Sequence, residues 1–187
     1  EAIINQINSP NTKLRFGEVV DFSISGGKKS KFYRMCGGSL GGKARGLAFA
    51  KDMIKQSGLS HKFSNVKIKI PNTAIIGTDE FDRFMKDNKL WKDALKAQND
   101  KEIVNLFLDS RLSMDLILKL ESFLKDCNYP IAVRSSSLLE DSQYQPLSGA
   151  YSTFMLANNQ RSIKDRIKKL TDAIKLVFAS IFYKESK

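Results

Sequence analysis

Residues 130–156 concentrate side chains that can bind an anion. An apolar run, Ile131 to Val133, ends in Arg134, and a hydroxyl-rich segment follows at once. The guanidinium of an arginine at a strand end presents a planar fork of donors that suits phosphate oxygens. Further on, Ser148 and Gly149 allow the backbone to approach an anion closely. The pattern predicts a phosphate-binding site.

A purely structural role for Arg134 is the alternative. In that interpretation the guanidinium pairs with Glu140 or Asp141 and pins a loop, since structural ion pairs also place charges at such positions. A second glycine-rich stretch upstream favours the phosphate site.

That second stretch, residues 37–46, has five glycines in ten residues and a lysine at its centre. Because glycine has no side chain, the backbone N–H groups of this stretch are accessible and can donate hydrogen bonds to phosphate oxygens. A helical pattern begins at Ala44, so Lys43 lies between the loop and a helix start. The competing interpretation is a flexible turn with a solvent-exposed lysine.

The same stretch nearly matches the phosphate-binding loop of the large nucleotide-hydrolase class. Gly37, Gly42 and Lys43 have its spacing, but the class then requires Ser or Thr to hold magnesium, and Ala44 stands there. The missing hydroxyl disfavours this assignment.

The elements predicted to position these residues alternate between strands and helices, which indicates an α/β (α+β) fold. Strands are expected at 14–25, 32–35, 66–70, 73–76, 131–133 and 151–156. Helices are expected at 44–56, from a cap at Thr78, as two short helices in 91–107 broken near Asn99, from a cap at Ser113, and at 163–181. The apolar stripe of the last helix predicts a partner surface outside the chain.

The net charge of +11, from 31 basic and 20 acidic residues, makes polyanions a partner class to consider. The basic residues at 164–169 fall on the polar face of a helix, however, and no recognised nucleic-acid motif accompanies them. We therefore expect a solvated face or a surface for an acidic partner, and no nucleic acid.

Cysteine, histidine and hydropathy exclude several classes of function. Cys36 and Cys127 are too few for a disulfide framework or a zinc site. His61, the only histidine, is expected at the surface, which argues against nucleophilic triads and histidine-ligated metals. Neither a signal peptide in residues 1–10 nor an apolar run of about 18 residues is present, so a cytoplasmic protein without membrane contact is expected. The missing initiator methionine and the helical pattern at the end predict a piece of a longer protein.

Together the two stretches resemble the N-terminal nucleotide-binding domain of the family of phosphoenolpyruvate synthase (pyruvate, water dikinase), pyruvate phosphate dikinase and rifampin phosphotransferase. The resemblance covers most of the chain from about Gly37 onward, and the segment at Arg134 is its most specific part. The matching segments are Gly41–Lys43 before a helix, Ile70-Pro71, Phe81–Phe84, Val133–Ser136 with Glu140-Asp141, and Gly149 with Thr153.

The resemblance implies roles for five residues. Lys43 and Arg134 would contact the triphosphate of ATP and act in catalysis. Ser135, Gly149 and Thr153 would join them in binding the nucleotide, with the glycine loop covering the phosphates. No metal ligand is expected here, because the acidic residues that hold Mg²⁺ in relatives lie on a second lobe expected beyond the chain.

The resemblance also implies a fold and a reaction. It predicts the first lobe of an ATP-grasp-like domain, with a mixed sheet and packed helices. Residues 1–36 would be an N-terminal extension or linker with strands, and residues 37–187 a partial nucleotide-binding domain truncated at its C-terminus. The parent enzyme would pass a phosphoryl group from ATP through a phosphohistidine on a separate domain to pyruvate, giving phosphoenolpyruvate, AMP and phosphate.

Departures from the family pattern leave other functions open. The usual Pro-x-Gly-Phe is Pro71 to Ala74 here, and the glutamines that commonly follow the loop glycine are Ala150 and Tyr151. The alternatives are a phosphotransferase with another acceptor, of the rifampin or glucan type, and a non-catalytic nucleotide-binding or interaction module.

Overall fold

The computed structural model describes residues 17, 19–24, 32–58, 65–137 and 151–184. The strands are β1 (Val20–Asp21), β2 (Phe32–Arg34), β3 (Thr73–Ile75), β4 (Ile131–Arg134) and β5 (Thr153–Leu156). The helices are α1 (Gly41–Gln56), α2 (Thr78–Asp87), α3 (Leu90–Lys96), α4 (Asp100–Asp109), α5 (Met114–Asp126) and α6 (Ile163–Ala179), followed by a 3₁₀ turn (Ser180–Phe182). The mixture of helices and strands confirms the predicted α/β class.

Strands β1, β2 and β3 form a parallel sheet with β2 in the centre. Helix α1 lies in the connection from β2 to β3, as parallel pairing requires. Phe32 and Ile75 of the sheet are buried with Ala44 and Ala48 of α1. The two alanines face this small cluster, and their short side chains let the helix lie close to the strands.

The prediction of a strand at 66–70 was wrong. Residues 66–72 have no regular secondary structure, and Val66 is 56% exposed. The chain pairs with β2 only from Thr73, after Pro71, whose nitrogen carries no hydrogen for a ladder bond. The alternation of apolar and basic residues therefore marks an extended segment outside the sheet.

Strands β4 and β5 form an antiparallel pair in which Ile131 lies opposite Leu156 and Arg134 opposite Thr153. Ile131, Val133 and Leu156 pack against the main core. Within the described residues the strands thus form two separate sheets, whereas one mixed sheet was expected.

The main core is built by helices α2 to α6. Six aromatic rings meet there with centroids 5.2–6.1 Å apart. They are Phe81, Phe84, Trp91, Phe107, Phe178 and Phe182. Since Leu170 and Ile174 of α6 are buried in the same core, the stripe of the last helix is covered from within the chain. The expectation that this stripe faces an absent partner was wrong.

Side-chain caps fix the helix starts. Asn99 and Ser113 accept hydrogen bonds from the backbone N–H groups of Glu102 and Leu116. The sequence predicted the cap at Ser113, but at Asn99 only a break between two helices. Thr78, in contrast, is the first residue of α2, whose N-cap is Gly77. None of the helices in the described part of the chain has the length and apolarity to cross a bilayer.

Candidate functional site

The two stretches singled out in the sequence meet at Ser136. Its hydroxyl donates a hydrogen bond of 3.0 Å to the Leu40 carbonyl and accepts one of 2.9 Å from the Ala44 N–H. In an uninterrupted α-helix the Ala44 N–H would bond the Leu40 carbonyl directly. The serine from the end of β4 is therefore inserted into the first turn of α1.

Gly41 allows this contact. Its φ is +70°, and a Cβ atom added there would lie 1.8 Å from the Ser136 carbonyl oxygen. A position in the left-handed region with backbone at that distance accepts only glycine. The close approach joins the start of α1 to the segment after Arg134.

The other side of the glycine loop packs against the start of α2. The Ser39 N–H donates to the Thr78 hydroxyl, and the N–H groups of Thr78 and Asp79 donate to the carbonyls of Ser39 and Gly37. A Cβ on Gly38 would lie 2.5 Å from both side chains of the Thr78-Asp79 pair. Gly38 and Gly41 are thus explained by contacts within the protein.

Lys43 lies in the first turn of α1, one residue before Ala44, and its Nζ atom is buried. Arg134 is exposed at the end of β4, two residues before Ser136. The hydrogen bonds of Ser136 therefore tie together the two backbone segments that bear the predicted cations.

Arg134 and Thr153 are cross-strand neighbours on the exposed face of the β4–β5 pair. Residues directly opposite in an antiparallel ladder have side chains on the same face. The ladder thus brings together two of the predicted site residues that are 19 positions apart. Ser135 lies next to them, and its hydroxyl accepts a hydrogen bond from the Ser137 N–H.

Three residues predicted to bind phosphate or to pair with Arg134 lie outside the described residues, as do His61 and Ser148. Gly149, predicted to cover the phosphates, is one. Glu140 and Asp141, the alternative partners of Arg134, are the others, so both interpretations of Arg134 stay predictions.

A pocket of about 360 Å³ adjoins the other flank of the glycine loop, where β2 ends. Cys36 and Gly37 line it together with three cationic side chains, Arg34, Arg83 and Lys119, and with four carboxylates. Neither Lys43 nor Arg134 lines this pocket. Its charges are largely satisfied internally, because Arg34 binds Asp21 and Lys119 binds Asp115.

Two groups in this pocket have shifted pKa values. The hydrogen bond from Arg34 holds the pKa of the Asp21 carboxyl below its ordinary value. Burial, reinforced by the nearby Glu80 carboxylate, raises the pKa of the Cys36 thiol to about 11. The thiol is neutral at physiological pH and is a poor nucleophile or metal ligand.

Magnesium does not fit the described residues of the site. Mg²⁺ prefers carboxylate and phosphate oxygens, whereas Lys43, Arg134 and Ser136 supply cations and a hydroxyl. Across the described ranges, no three His, Cys, Asp or Glu side chains lie together as a metal site would need.

Sequence reasoning missed the roles of Ser136, Thr78 and Asp79. Ser136 belongs to the Arg-Ser-Ser motif, but nothing in a motif shows that its hydroxyl reaches a helix 92 residues away. Thr78 was predicted as a cap on its own helix, whereas its hydroxyl accepts from the Ser39 N–H.

Residues 38–187 match the family described as pyruvate phosphate dikinase, AMP/ATP-binding domain. No curated protein and no solved structure gave a significant match. The family match covers well over half of the 187 residues and includes the glycine loop, α1 and both strands of the β4–β5 pair. The chain therefore belongs to the pyruvate phosphate dikinase AMP/ATP-binding domain family.

Proposed function

We propose that this chain binds the triphosphate of ATP between the start of α1 and the end of β4, as the first lobe of an ATP-grasp-like domain. The observation that carries the proposal is the contact of Ser136 with the first turn of α1, which joins the segments bearing Lys43 and Arg134. The family match supports ATP as the ligand.

In this proposal the chain supplies the cationic part of a phosphoryl-transfer site. Lys43 and Arg134 neutralise the phosphate oxygens, and Ser135, Thr153 and the loop at Gly149 hold the nucleotide in place. Positive groups fixed where negative charge develops are the main protein contribution to such reactions. Mg²⁺, when bound with ATP, spreads the charge of the phosphates, and its protein ligands belong to a second lobe in this scheme.

We further propose that the parent protein transfers one phosphoryl group of ATP through a phosphohistidine to pyruvate while water accepts the other, producing phosphoenolpyruvate, AMP and phosphate. Membership of a dikinase family supports a phosphotransferase, and the acceptor is the part that needs a direct assay. The full-length protein, incubated with ATP, Mg²⁺ and pyruvate, should form AMP and phosphoenolpyruvate in equal amounts, observable by ³¹P NMR. AMP formation that does not depend on pyruvate would point to another acceptor.

The nucleotide site is tested by calorimetric titration of ATP, with and without Mg²⁺, into the wild type and Arg134→Ala. Loss of a charge-assisted contact to phosphate should weaken ATP binding about tenfold or more. Arg161→Ala is the matched control, because Arg161 is also exposed but follows β5, whose last residue lies opposite Ile131 at the far end of the ladder. Equal affinities of the wild type and Arg134→Ala would refute the phosphate assignment.

A further inference from the structure

We propose that Ser136 is the positioning residue that holds the Lys43 end of α1 against the Arg134 end of β4. This inference rests on the proposed function, because it assigns to Ser136 the task of setting the spacing between the two phosphate-binding cations. No motif signal assigned a role to this hydroxyl.

The hydrogen bonds of Ser136 show why its action is indirect. A serine hydroxyl has one proton to donate, and this proton is directed to the Leu40 carbonyl. One of its lone pairs accepts from the Ala44 N–H. With the proton committed inside the protein, the hydroxyl has none left to donate to a phosphate oxygen. Its effect on a ligand must pass through the backbone that it holds.

Because these bonds lie at the start of α1, they can control the position of Lys43. They engage the N–H and the carbonyl that pair in the first turn of a regular helix, immediately after Lys43, so they hold the backbone from which the lysine side chain extends. The Gly41 backbone in contact with the Ser136 carbonyl sets the distance of approach, and the hydroxyl sets the alignment. Without the hydroxyl, the Ala44 N–H and the Leu40 carbonyl are free to bond each other. We expect α1 to close its first turn and withdraw from β4.

The start of α1 is held from two sides. Ser136 contacts one side, and Thr78 and Asp79 contact the loop at Gly38 on the other. Removing the Ser136 hydroxyl should therefore leave the fold intact, because the contacts of Thr78 and Asp79 remain, but Lys43 should be positioned less precisely. Binding to preorganised groups is sensitive to small displacements, so a loss of about tenfold in ATP affinity is expected for Ser136→Ala.

The test is a double-mutant cycle in the chain as it exists, with ATP as the probe and Kd as the measurement. Its variants are Ser136→Ala, Lys43→Ala and the two combined. If Ser136 acts by aligning Lys43, Ser136→Ala should weaken binding about tenfold in the wild type and less than about twofold when Lys43 is already alanine. Ser136→Thr, which keeps the hydroxyl, should retain affinity within about threefold of the wild type.

A matched control separates alignment from general stability. Ser110 is buried at the end of α4, and its hydroxyl donates a hydrogen bond to the Leu106 carbonyl of that helix. Ser110→Ala should leave ATP affinity unchanged in both the wild type and the Lys43→Ala background. If Ser136→Ala does not fold, Ser136→Cys takes its place in the cycle, since the thiol keeps the volume and weakens the hydrogen bonds.

The outcomes distinguish this inference from the proposed function. If Lys43→Ala weakens ATP binding and Ser136→Ala does not, or if the two losses are additive, Ser136 is not a positioning residue and the nucleotide site stands. If Lys43→Ala binds ATP as the wild type does, the phosphate assignment of Lys43 fails, and this inference fails with it.

Discussion

Glu80 is the most deeply buried acid among the described residues, at 1% exposure. Its carboxylate accepts hydrogen bonds from the N–H and the hydroxyl of Ser113, which is the N-cap of α5. The acid therefore satisfies donors at the positive end of that helix, where a negative charge is favoured.

Removing this carboxylate should destabilise the protein. Glu80→Ala leaves two partly buried donors of Ser113 without an acceptor and creates a cavity, so we expect a loss of about 2–4 kcal/mol in the free energy of unfolding. Urea denaturation measures the change. Asp82→Ala, on the same helix but exposed, should shift stability by less than about 0.5 kcal/mol. Similar losses for both variants would contradict the role assigned to Glu80.

The Cys36 thiol should react slowly with alkylating reagents. Its pKa of about 11, against an ordinary value of 9.0, lowers the thiolate fraction at pH 8 roughly 100-fold, and the thiolate is the reactive form. Iodoacetamide labelling followed by mass spectrometry should show a rate that rises steeply between pH 9 and 11. The raised pKa also means that the stabilisation from the neutral thiol is present below pH 9 and lost as the pH approaches 11. Rapid labelling at pH 8 would contradict this environment.

At the scale of elements, the sequence predicted most helices well because their starts carry local signals. Ser113 caps the helix that it was expected to cap, and the break expected near Asn99 separates α3 from α4. The failures concern elements whose surroundings decide the outcome. The segment at 66–70 forms a strand only if another strand lies beside it, and the stripe of α6 faces the core only if other helices cover it. The periodicity of apolar residues carries no information about such neighbours.

The start of α1 gives a direct test of one of these tertiary contacts. Gly41→Ala would place a Cβ atom 1.8 Å from the Ser136 carbonyl oxygen at a φ of +70°, so the two segments must separate. We expect a loss of about 2–4 kcal/mol, measured by thermal denaturation. Gly46→Ala is the control in the same helix: its Cβ would meet nothing within 4 Å, and alanine should stabilise the helix by up to about 1 kcal/mol. Equal effects would show that the contact at Gly41 is not constrained.

Substitutions in and just after the last helix, α6, can test whether its apolar stripe belongs to the core. Ile174 is 3% exposed, so Ile174→Ala should cost about 2–4 kcal/mol in the chain by itself. Ile181, which is 37% exposed, should cost about 1 kcal/mol or less on the same substitution. Denaturant unfolding of the two variants measures both values. If the stripe were instead exposed for binding to another protein, both substitutions would cause only a small loss in the free energy of unfolding.

For the whole molecule, the sequence predicted a candidate site but not the contacts that bring its segments together. Arg134 and Lys43 were predicted from their motifs, whereas the contacts that hold the start of α1, those of Ser136 and of the start of α2, come from two distant parts of the chain. Such long-range contacts leave no local pattern. The parallel sheet also includes β1 and β2, which precede residue 37, so the predicted division of the chain at that residue stays a prediction.

The distribution of buried residues predicts that the two cores differ in stability. Among the residues that the structure describes, the cluster beneath α1 has four buried members, two of them alanines, whereas the main core has fifteen. Elements with less buried apolar surface open at lower free energies, so amides of α1 should exchange with solvent before the central amides of α5 and α6. Native-state hydrogen exchange measures this order. If ATP binds as proposed, its addition should slow exchange in the first turn of α1 and leave α5 unchanged. Exchange of α1, α5 and α6 at one common opening free energy would show a single cooperative unit, and the two clusters would then have no separate stability.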